Sequence, residues 1–286
     1  LNEMIKNNCK YCVMEVSSHA LVLNRIDNID YEAAVFTNLT QDHLDFHKTL
    51  ENYKNAKEKL FYKTKSINIF NIDDKVGEEF FNKSLNRDIK TYTYGVEKEA
   101  DFKAANIKLY DDRTEYDLII DKQKYKVSTP ILGNFNVYNT LAAITTCILL
   151  GLSREDVIKR VQNLKSVSGR LDKVENDKNV NIIVDYAHTP DALLNILKSA
   201  RLFTKNRIIL VFGCGGNRDK AKRPIMGKIA QQNADISIIT SDNPRFEKEM
   251  DIIEDILCGI DKTLDNYFVV QDREDSIKKA IELYEV

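Results

Sequence analysis

Ile208-Ile-Leu-Val-Phe-Gly-Cys-Gly-Gly-Asn-Arg-Asp-Lys220 is the stretch on which the fold turns. Its apolar run, Ile208 to Phe212, reads as a buried strand that enters a glycine-rich turn and then a cationic helix start. The pattern recurs on both sides. Strand candidates Val180 to Val184, Ile236 to Thr240 and Tyr267 to Val270 alternate with helix candidates at 191–203, 223–233, 249–259 and 274–284. This alternation predicts a parallel sheet with helices on both faces. Ligands of such sheets sit at the carboxyl ends of the strands. Three segments there are chemically unusual: Asp185-Tyr-Ala-His-Thr-Pro190, Gly213-Cys-Gly-Gly-Asn-Arg-Asp219 and Ser241-Asp-Asn-Pro-Arg245.

Upstream, Lys165-Ser-Val-Ser-Gly169 marks a boundary, which divides the chain into domains at 1–167 and 168–286. In the first domain, Tyr11 to Val16, Ala33 to Thr37, Ser66 to Ile72 and Lys90 to Tyr94 read as strands, and Leu50 to Lys63 and Lys75 to Lys83 as helices. Alternation then predicts an antiparallel meander of Phe102 to Leu109, Tyr116 to Ile120 and Tyr125 to Val127, turning at Asp111-Asp112 and Asp121-Lys122. Asn136 to Leu150 is a hydrophobic helix ended by Gly151, and Ser153 caps the next, through Val161. The fold class is α/β: a mixed sheet with helices and a small meander, followed by a parallel βα domain.

Composition excludes several functions. Of 286 residues, 43% are hydrophobic and 30% charged, a globular balance. Lys plus Arg is 42 against 44 Asp plus Glu, so the net charge of -2 carries no basic surplus for nucleic acid. Apolar stretches such as Ile144 to Leu152 are too short to cross a bilayer, and no signal peptide is read at the amino end. The cysteines Cys9, Cys12, Cys147, Cys214 and Cys258 are odd in number and scattered, as expected in a reducing cytoplasm. Cys9-x-x-Cys12 lacks a second pair, so a metal or redox role is not assigned.

Several residues invite chemistry. The histidines His19, His43, His47 and His188 all lie among other polar groups. His43 sits beside carboxylates in Gln41-Asp-His-Leu-Asp-Phe-His47, and with Glu15 it either binds a divalent cation or belongs to a helix cap. At about 100° per residue, Leu50, Tyr53, Ala56, Leu60 and Phe61 share one helix face. Lys57 lies within it, whereas Lys54, Glu58 and Lys59 do not. An amine in an apolar stripe is costly unless it is paired, neutralised or modified. Lys57 therefore either snorkels to solvent or serves as a Schiff base, a phosphate contact or a carbamylated, metal-binding anion. Arg218, Lys220, Lys222 and Arg223 beside the glycine turn suit a carboxylate or phosphate, or form a solvated helix start. Asp185 is either a nucleotide contact or a cap. Asn243-Pro-Arg245 either offers an amide and a guanidinium on a rigid turn to a zwitterionic amino acid or is an ordinary surface turn.

Taken in order, a set of segments resembles the Mur ligase family. They are Glu15-Val-Ser-Ser-His-Ala-Leu21 with Arg25, Phe36-Thr-Asn-Leu-Thr-Gln-Asp-His-Leu-Asp45, Tyr53-Lys-Asn-Ala-Lys57, Asn136-Val-Tyr-Asn139, Gly169-Arg170, Asp185-Tyr-Ala-His-Thr-Pro190, Gly213-Cys-Gly-Gly-Asn-Arg-Asp-Lys220 and Asp242-Asn-Pro-Arg245. The resemblance runs from Glu15 to about Gly259 and is strongest to the diaminopimelate-adding members. It implies a central ATPase domain followed by a Rossmann-like C-terminal domain. It also implies ATP-dependent addition of meso-diaminopimelate to UDP-N-acetylmuramoyl-L-alanyl-D-glutamate, through an acyl phosphate, in peptidoglycan synthesis. Partners would be the UDP-sugar peptide, ATP and meso-diaminopimelate, with Mg2+ as the cofactor, in a bacterial cytoplasmic monomer with no membrane insertion.

Carried over residue by residue, the resemblance makes Glu15 and His43 magnesium ligands. Lys57 becomes the carbamylated lysine that completes the metal and catalytic set. Ser17, Ser18 and Arg25 become contacts to the UDP-sugar peptide, and Asn139, Arg170, Asp185 and His188 contacts to ATP. Arg218, Asn243 and Arg245 would hold the incoming amino acid, with Arg245 pairing diaminopimelate's second carboxylate, which lysine lacks. Asn217 stands where the family more often has Asp. The family's phosphate loop and uridine-binding domain are expected before Leu1, and a Gly-Lys-Gly-His-Glu segment after Val286. A portion of a longer protein, incompetent by itself, is thus the expectation. The alternatives are a lysine-adding ligase, a folylpolyglutamate-synthetase-like ligase, or a non-catalytic nucleotide- or amino-acid-binding module. A nicotinamide dehydrogenase is disfavoured, because no G-x-G-x-x-G opens a βα unit.

Overall fold

The computed structural model describes residues 1–284 apart from Asp111, Ser166, Asn179 and Lys205. One expected turn (at Asp111) and part of the expected boundary (at Ser166) thus lie outside the described residues. The N-terminal part begins with α1 (Asn2–Lys6), α2 (Ser18–Val22), β1 (Tyr31–Phe36), α3 (Leu44–His47) and α4 (Leu50–Tyr62). It continues through β2 (Thr64–Asn71), α5 (Lys75–Ser84), β3 (Lys90–Gly95), β4 (Phe102–Leu109), β5 (Thr114–Ile120) and β6 (Gln123–Thr129) to α6 (Asn134–Leu149) and α7 (Arg154–Val161). The C-terminal part holds β7 (Asp172–Val174), β8 (Ile182–Val184), α8 (Pro190–Phe203), β9 (Ile209–Phe212) and α9 (Lys222–Asn233). After these come β10 (Ile236–Ile239), α10 (Glu249–Leu257), β11 (Tyr267–Val269) and α11 (Arg273–Tyr284).

Helix starts follow local chemistry. Thr49, Asp74, Ser153 and Thr189 each accept from an amide in the first turn of α4, α5, α7 and α8, and Pro190 occupies the first position of α8. The first sheet has six strands in sequence order, β1 to β4 parallel and β4 to β6 antiparallel. Parallel strands normally need a long crossover. β3 and β4 avoid it by overlapping only at Tyr94↔Phe102 and Gly95↔Lys103. Asp73 makes that short connection possible, since its carboxylate accepts from the amides of Val96, Glu97 and Lys98 at 2.6–2.9 Å and from the Tyr138 hydroxyl at 2.9 Å. Burial pushes the Asp73 carboxyl up, but these donors outweigh it and hold the group below the usual range.

The two faces of this sheet are covered differently. One packs Ile69, Tyr94, Tyr116 and Leu118 against Val137, Leu141 and Ile144 of α6 and Val157 of α7. The other closes an aromatic cluster of Phe36, Phe61, Phe70 and Phe80, brought together by β1, α4, β2 and α5. In the C-terminal part, Leu193, Leu197, Met226, Ile252, Ile253 and Ile256 pack beside Phe212 and Ile239.

Three expectations are corrected. Tyr11 to Val16 is not a strand: it runs as an irregular segment, and Val13 is 99% exposed. Apolar side chains alone cannot make a strand without a ladder partner. Val180 to Val184 does not join the parallel sheet, which among the described residues has the order β11-β10-β9. Its shortened strand β8 pairs antiparallel with β7, which the sequence pattern did not reveal. Leu50, expected on the buried face of α4, is exposed at the helix's first residue. Asp121 and Lys122 both take positive φ, making the expected tight turn between β5 and β6.

Asp73→Asn is expected to lower stability at neutral pH by on the order of 1–2 kcal/mol, the carboxylate being only partly buried. A carboxyl whose folded pKa is depressed stabilises above its unfolded value of 3.8 and loses that contribution as pH falls through the folded one. The difference between the proteins in urea denaturation should therefore shrink below about pH 4.

Candidate active site

The loop after β1 is held from below by the strands beside it. Tyr94 donates its hydroxyl to Phe36 O at 3.2 Å, Asn71 its amide to Thr37 O at 2.8 Å, and the Leu39 amide reaches Asp74 at 3.1 Å. The loop ends at His43, which takes the left-handed conformation, φ 56°, at the start of α3. A histidine pays for that geometry in backbone strain and gains a fixed direction for its ring. Its ring centroid lies 4.9 Å from His19 and 5.8 Å from Tyr53, and His47 stacks on Tyr53 at 5.0 Å. Burial lowers the pKa of both His43 and His47, with His19 adding to the effect, so both imidazoles favour the neutral form.

Lys57 lies beside this cluster, its Nζ 5.2 Å from the Tyr53 ring centroid. Among the described residues it makes no hydrogen bond or ion pair. Burial lowers its pKa against the pull of Glu15, Asp42 and Asp74. The side chain is half-buried, packed on the edge of this cluster. Glu15 lies on the exposed, irregular segment before α2. Among the described residues no three His, Cys, Asp or Glu side chains group closely enough to hold a metal ion. Glu15 and His43 would need a further oxygen donor, and a carbamate on Lys57 has that chemistry.

On the C-terminal side, the cationic run that leads into α9 divides into exposed Arg218 and Lys220 and buried Lys222 and Arg223. Arg223 is fully buried. Lys222 is buried and donates to His188 O at 2.8 Å, tying the loop after β9 to the one after β8. Arg218 is exposed and makes no hydrogen bond or ion pair among the described residues. The glycines serve a close approach to the neighbouring loop: a Cβ on Gly213 would lie 2.3 Å from Thr240 O, and one on Gly216 1.9 Å from Pro244 O. Arg245, itself at φ 52°, donates Nη1 to Gly216 O at 2.6 Å. Asp185 is no helix cap, since it accepts from Leu171 N and Ala187 N, each at 2.8 Å, while Thr189 caps α8.

Both parts face one cleft of about 1380 Å³. Of the expected residues it brings together His43, Asp185, His188, Arg218 and Arg245, and it adds Asp42, Lys222 and Arg273. Glu15, Ser17, Ser18, Arg25, Lys57, Asn139, Arg170 and Asn243 do not line it. Ser17 caps α2, and the buried Ser18 hydroxyl meets His47 Nε2 at 2.8 Å. Arg25 is exposed. The Arg170 guanidinium lies 4.6 Å from the Tyr186 ring centroid, and Asn139 donates to Asn136 Oδ1 at 2.8 Å. Asn243 uses its backbone carbonyl to accept from Gly216 N at 2.9 Å.

Asp42 is the residue the sequence reading passed over. Its carboxylate lies 3.5 Å from His43 Nε2 and 3.6 Å from His188 Nε2, so one acid spans both parts of the molecule. Burial pushes Asp42 up, yet the bond to His188 and the charge of His43 hold it at about 2. His188 is raised in return, by Asp42 first. The signal available was its position next to His43, but nothing in the sequence told that Asp42 would meet His188.

The Mur ligase middle domain family matches residues 1–147, and the Mur ligase glutamate ligase domain matches residues 169–285. The chain belongs to the Mur ligase family. It is 51% identical over 282 residues to the UDP-N-acetylmuramoyl-L-alanyl-D-glutamate–2,6-diaminopimelate ligase of Clostridioides difficile (strain 630), covering 99% of this chain and 58% of the relative. The ligase of the same name from Clostridium botulinum is 48% identical, with 98% and 57% covered. The chain thus spans little more than half the length of these Mur ligases. A solved structure of such a diaminopimelate ligase aligns with TM-score 0.65 at 35% identity, covering 97% of this chain and 57% of that one. The folylpolyglutamate synthase of Mycobacterium tuberculosis complexed with ADP, at 16% identity and TM-score 0.74 over 91% of this chain and 58% of its own, shares the fold. No helix among the described residues is long and apolar enough to cross a membrane.

In metal-free buffer the His188 imidazole should titrate above 6.5, and Asp42→Asn should bring it down, as read by NMR. Because the His188 pKa is raised, the pair stabilises below 6.5 and loses that contribution as pH rises through the folded value. At the acid end it weakens as pH falls from the unfolded Asp value of 3.8 towards about 2. A His188 titration unchanged by Asp42→Asn would refute the bridge.

Proposed function

We propose that this chain forms the middle and glutamate-ligase portions of an ATP-dependent enzyme that joins meso-diaminopimelate to UDP-N-acetylmuramoyl-L-alanyl-D-glutamate. The observation that carries the reading is the shared cleft: in a chain 51% identical to a ligase of that name, His43 and His188 face Arg218 and Arg245. Such a ligase must hold several anions together: the phosphates of ATP, the carboxylate of the UDP-sugar peptide and the carboxylates of the amino acid. The terminal carboxylate of the UDP-sugar peptide attacks the γ-phosphate of ATP, giving an acyl phosphate and ADP. The amine of the amino acid then attacks the acyl carbon, phosphate leaves and the amide forms.

The roles are these. Arg245 pairs the second carboxylate of diaminopimelate, and Arg218 and Asn243 hold its amino-acid head. His188 and Asp185, with Asn139 and Arg170, contact ATP, and Ser17, Ser18 and Arg25 contact the UDP-sugar peptide. Glu15, His43 and Lys57 would hold Mg2+, which when bound neutralises phosphate charge. Lys57 supports this reading because a buried amine of lowered pKa is neutral more often, and the neutral amine adds to carbon dioxide, releasing a proton and leaving a carbamate. His43, shifted the same way by burial, keeps a lone pair available for the metal. The reading carries a bacterial cytoplasmic setting and a monomer, and it suits cysteines that are all free.

The test is ADP formation by the full-length ligase carrying this sequence, with meso-diaminopimelate against lysine. Turnover should require diaminopimelate, and equal or greater turnover with lysine would overturn the assignment. Arg245→Ala should cost roughly a hundredfold in kcat/KM for diaminopimelate without lowering whatever turnover lysine supports. Lys57→Ala should abolish turnover, with partial rescue by short carboxylates such as acetate. A fully active alanine variant would remove the metal-bridging role.

A further inference from the structure

Arg223 is a buried charged group of the C-terminal part that the chemistry above leaves unused. Arg223, in the first turn of α9, is the bulkiest of the fully buried side chains. Its guanidinium donates to both carboxylate oxygens of Glu247, at 3.0 and 2.9 Å. It also donates to Asp255 at 2.8 Å and to Gly215 O at 3.3 Å, while Nε has no acceptor among the described residues. Glu247 accepts in addition from Lys220 Nζ at 2.9 Å and from Asn217 N. Those bonds, Arg223's first, hold its carboxyl far below the usual range.

Packing alone does not call for this arrangement. An apolar pair of similar volume usually stabilises a protein interior at least as well as a buried ion pair. What the ion pair supplies is geometry. Gly215 and Asn217 belong to the loop after β9, and Glu247 to the loop after β10. Arg223 and Glu247 fasten the two together, alongside the contacts of Asn243 O with Gly216 N and of Asn217 Oδ1 with Phe246 N at 3.0 Å. The first loop carries Arg218, the second Asn243 and Arg245.

We propose that Arg223 and Glu247 are positioning residues that set the separation between Arg218 and Arg245, and thereby the length of the dicarboxylic amino acid the cleft accepts. The inference rests on the reading of that cleft as the amino-acid site. Neither residue lines the cleft. Loosening the clamp lets the two guanidinium groups drift, which weakens a ligand held at both ends more than one held at a single end.

Glu247→Gln keeps the shape and removes the charge. In the full-length ligase carrying this sequence it should raise KM for meso-diaminopimelate about tenfold, leave kcat and KM for ATP within about twofold, and reduce discrimination against lysine. Arg223→Lys, which loses the bidentate fork, should act in the same direction. The paired variant Arg223→Met/Glu247→Leu separates positioning from stability: its Tm should match or exceed that of the unsubstituted protein while KM for diaminopimelate stays high. If the single variants lower Tm alone, or the apolar pair restores KM along with Tm, the positioning role is overturned. Absence of amino-acid-dependent turnover in the unsubstituted ligase would sink the reading of the site as well, whereas normal turnover with unmoved KM sinks only the clamp.

Discussion

Loops that leave the carboxyl ends of strands have no ladder to satisfy their backbone groups, so side chains must do it. That constraint shapes both halves of this protein. Asn71 and Asp74 hold Thr37 and Leu39 in the loop that ends at His43. Asp185 takes the amides of Leu171 and Ala187, Lys222 reaches the His188 carbonyl, and Arg245 the Gly216 carbonyl. The side chains of the cleft are therefore presented by loops whose backbones are tied down, which favours a preorganised site. Gly213 and Gly216 belong to the same scheme, because a side chain on either would collide with a carbonyl of the adjacent loop.

Charge is distributed to match. On the N-terminal side, burial shifts Lys57, His43 and His47 all towards the uncharged form. Around Lys57 the pull comes from Glu15, Asp42 and Asp74, none of them in direct ion-pair contact with it among the described residues. On the C-terminal side, the cations that are buried are already committed, Arg223 to Glu247 and Asp255, and Lys222 to a carbonyl. Arg218 alone of that run faces the cleft without a partner among the described residues. Asp42 joins the halves, since it is the acid that both His43 and His188 approach.

Much of this was legible in the residues. The helical period of Leu50 to Lys63 placed Lys57 within an apolar face, of which Tyr53, Ala56 and Phe61 are buried and Lys57 half-buried. The alternation from Phe102 to Val127 correctly implied an antiparallel meander, and its turn at Asp121-Lys122 formed with positive φ at both residues. Where the reading failed, the cause was a missing partner. Tyr11 to Val16 has the composition of a strand and pairs with no strand among the described residues. Val180 to Val184 has it too, yet its residues meet β7 and not β9. Strand propensity describes a willingness to pair and is silent about with whom.

Sequence by itself determined the α/β class, the run of elements and the chemical character of each loop, because periodicity, caps and glycines act over a few neighbouring residues. Tertiary structure alone decided that Asp42 would meet His188 and that Arg223, adjacent to Lys222 and close to Arg218, would turn inward to Glu247 while Arg218 faced the cleft. Those choices depend on which side of a helix or loop is covered by chain far away in sequence, and on where a charge finds a counter-charge once water has been excluded.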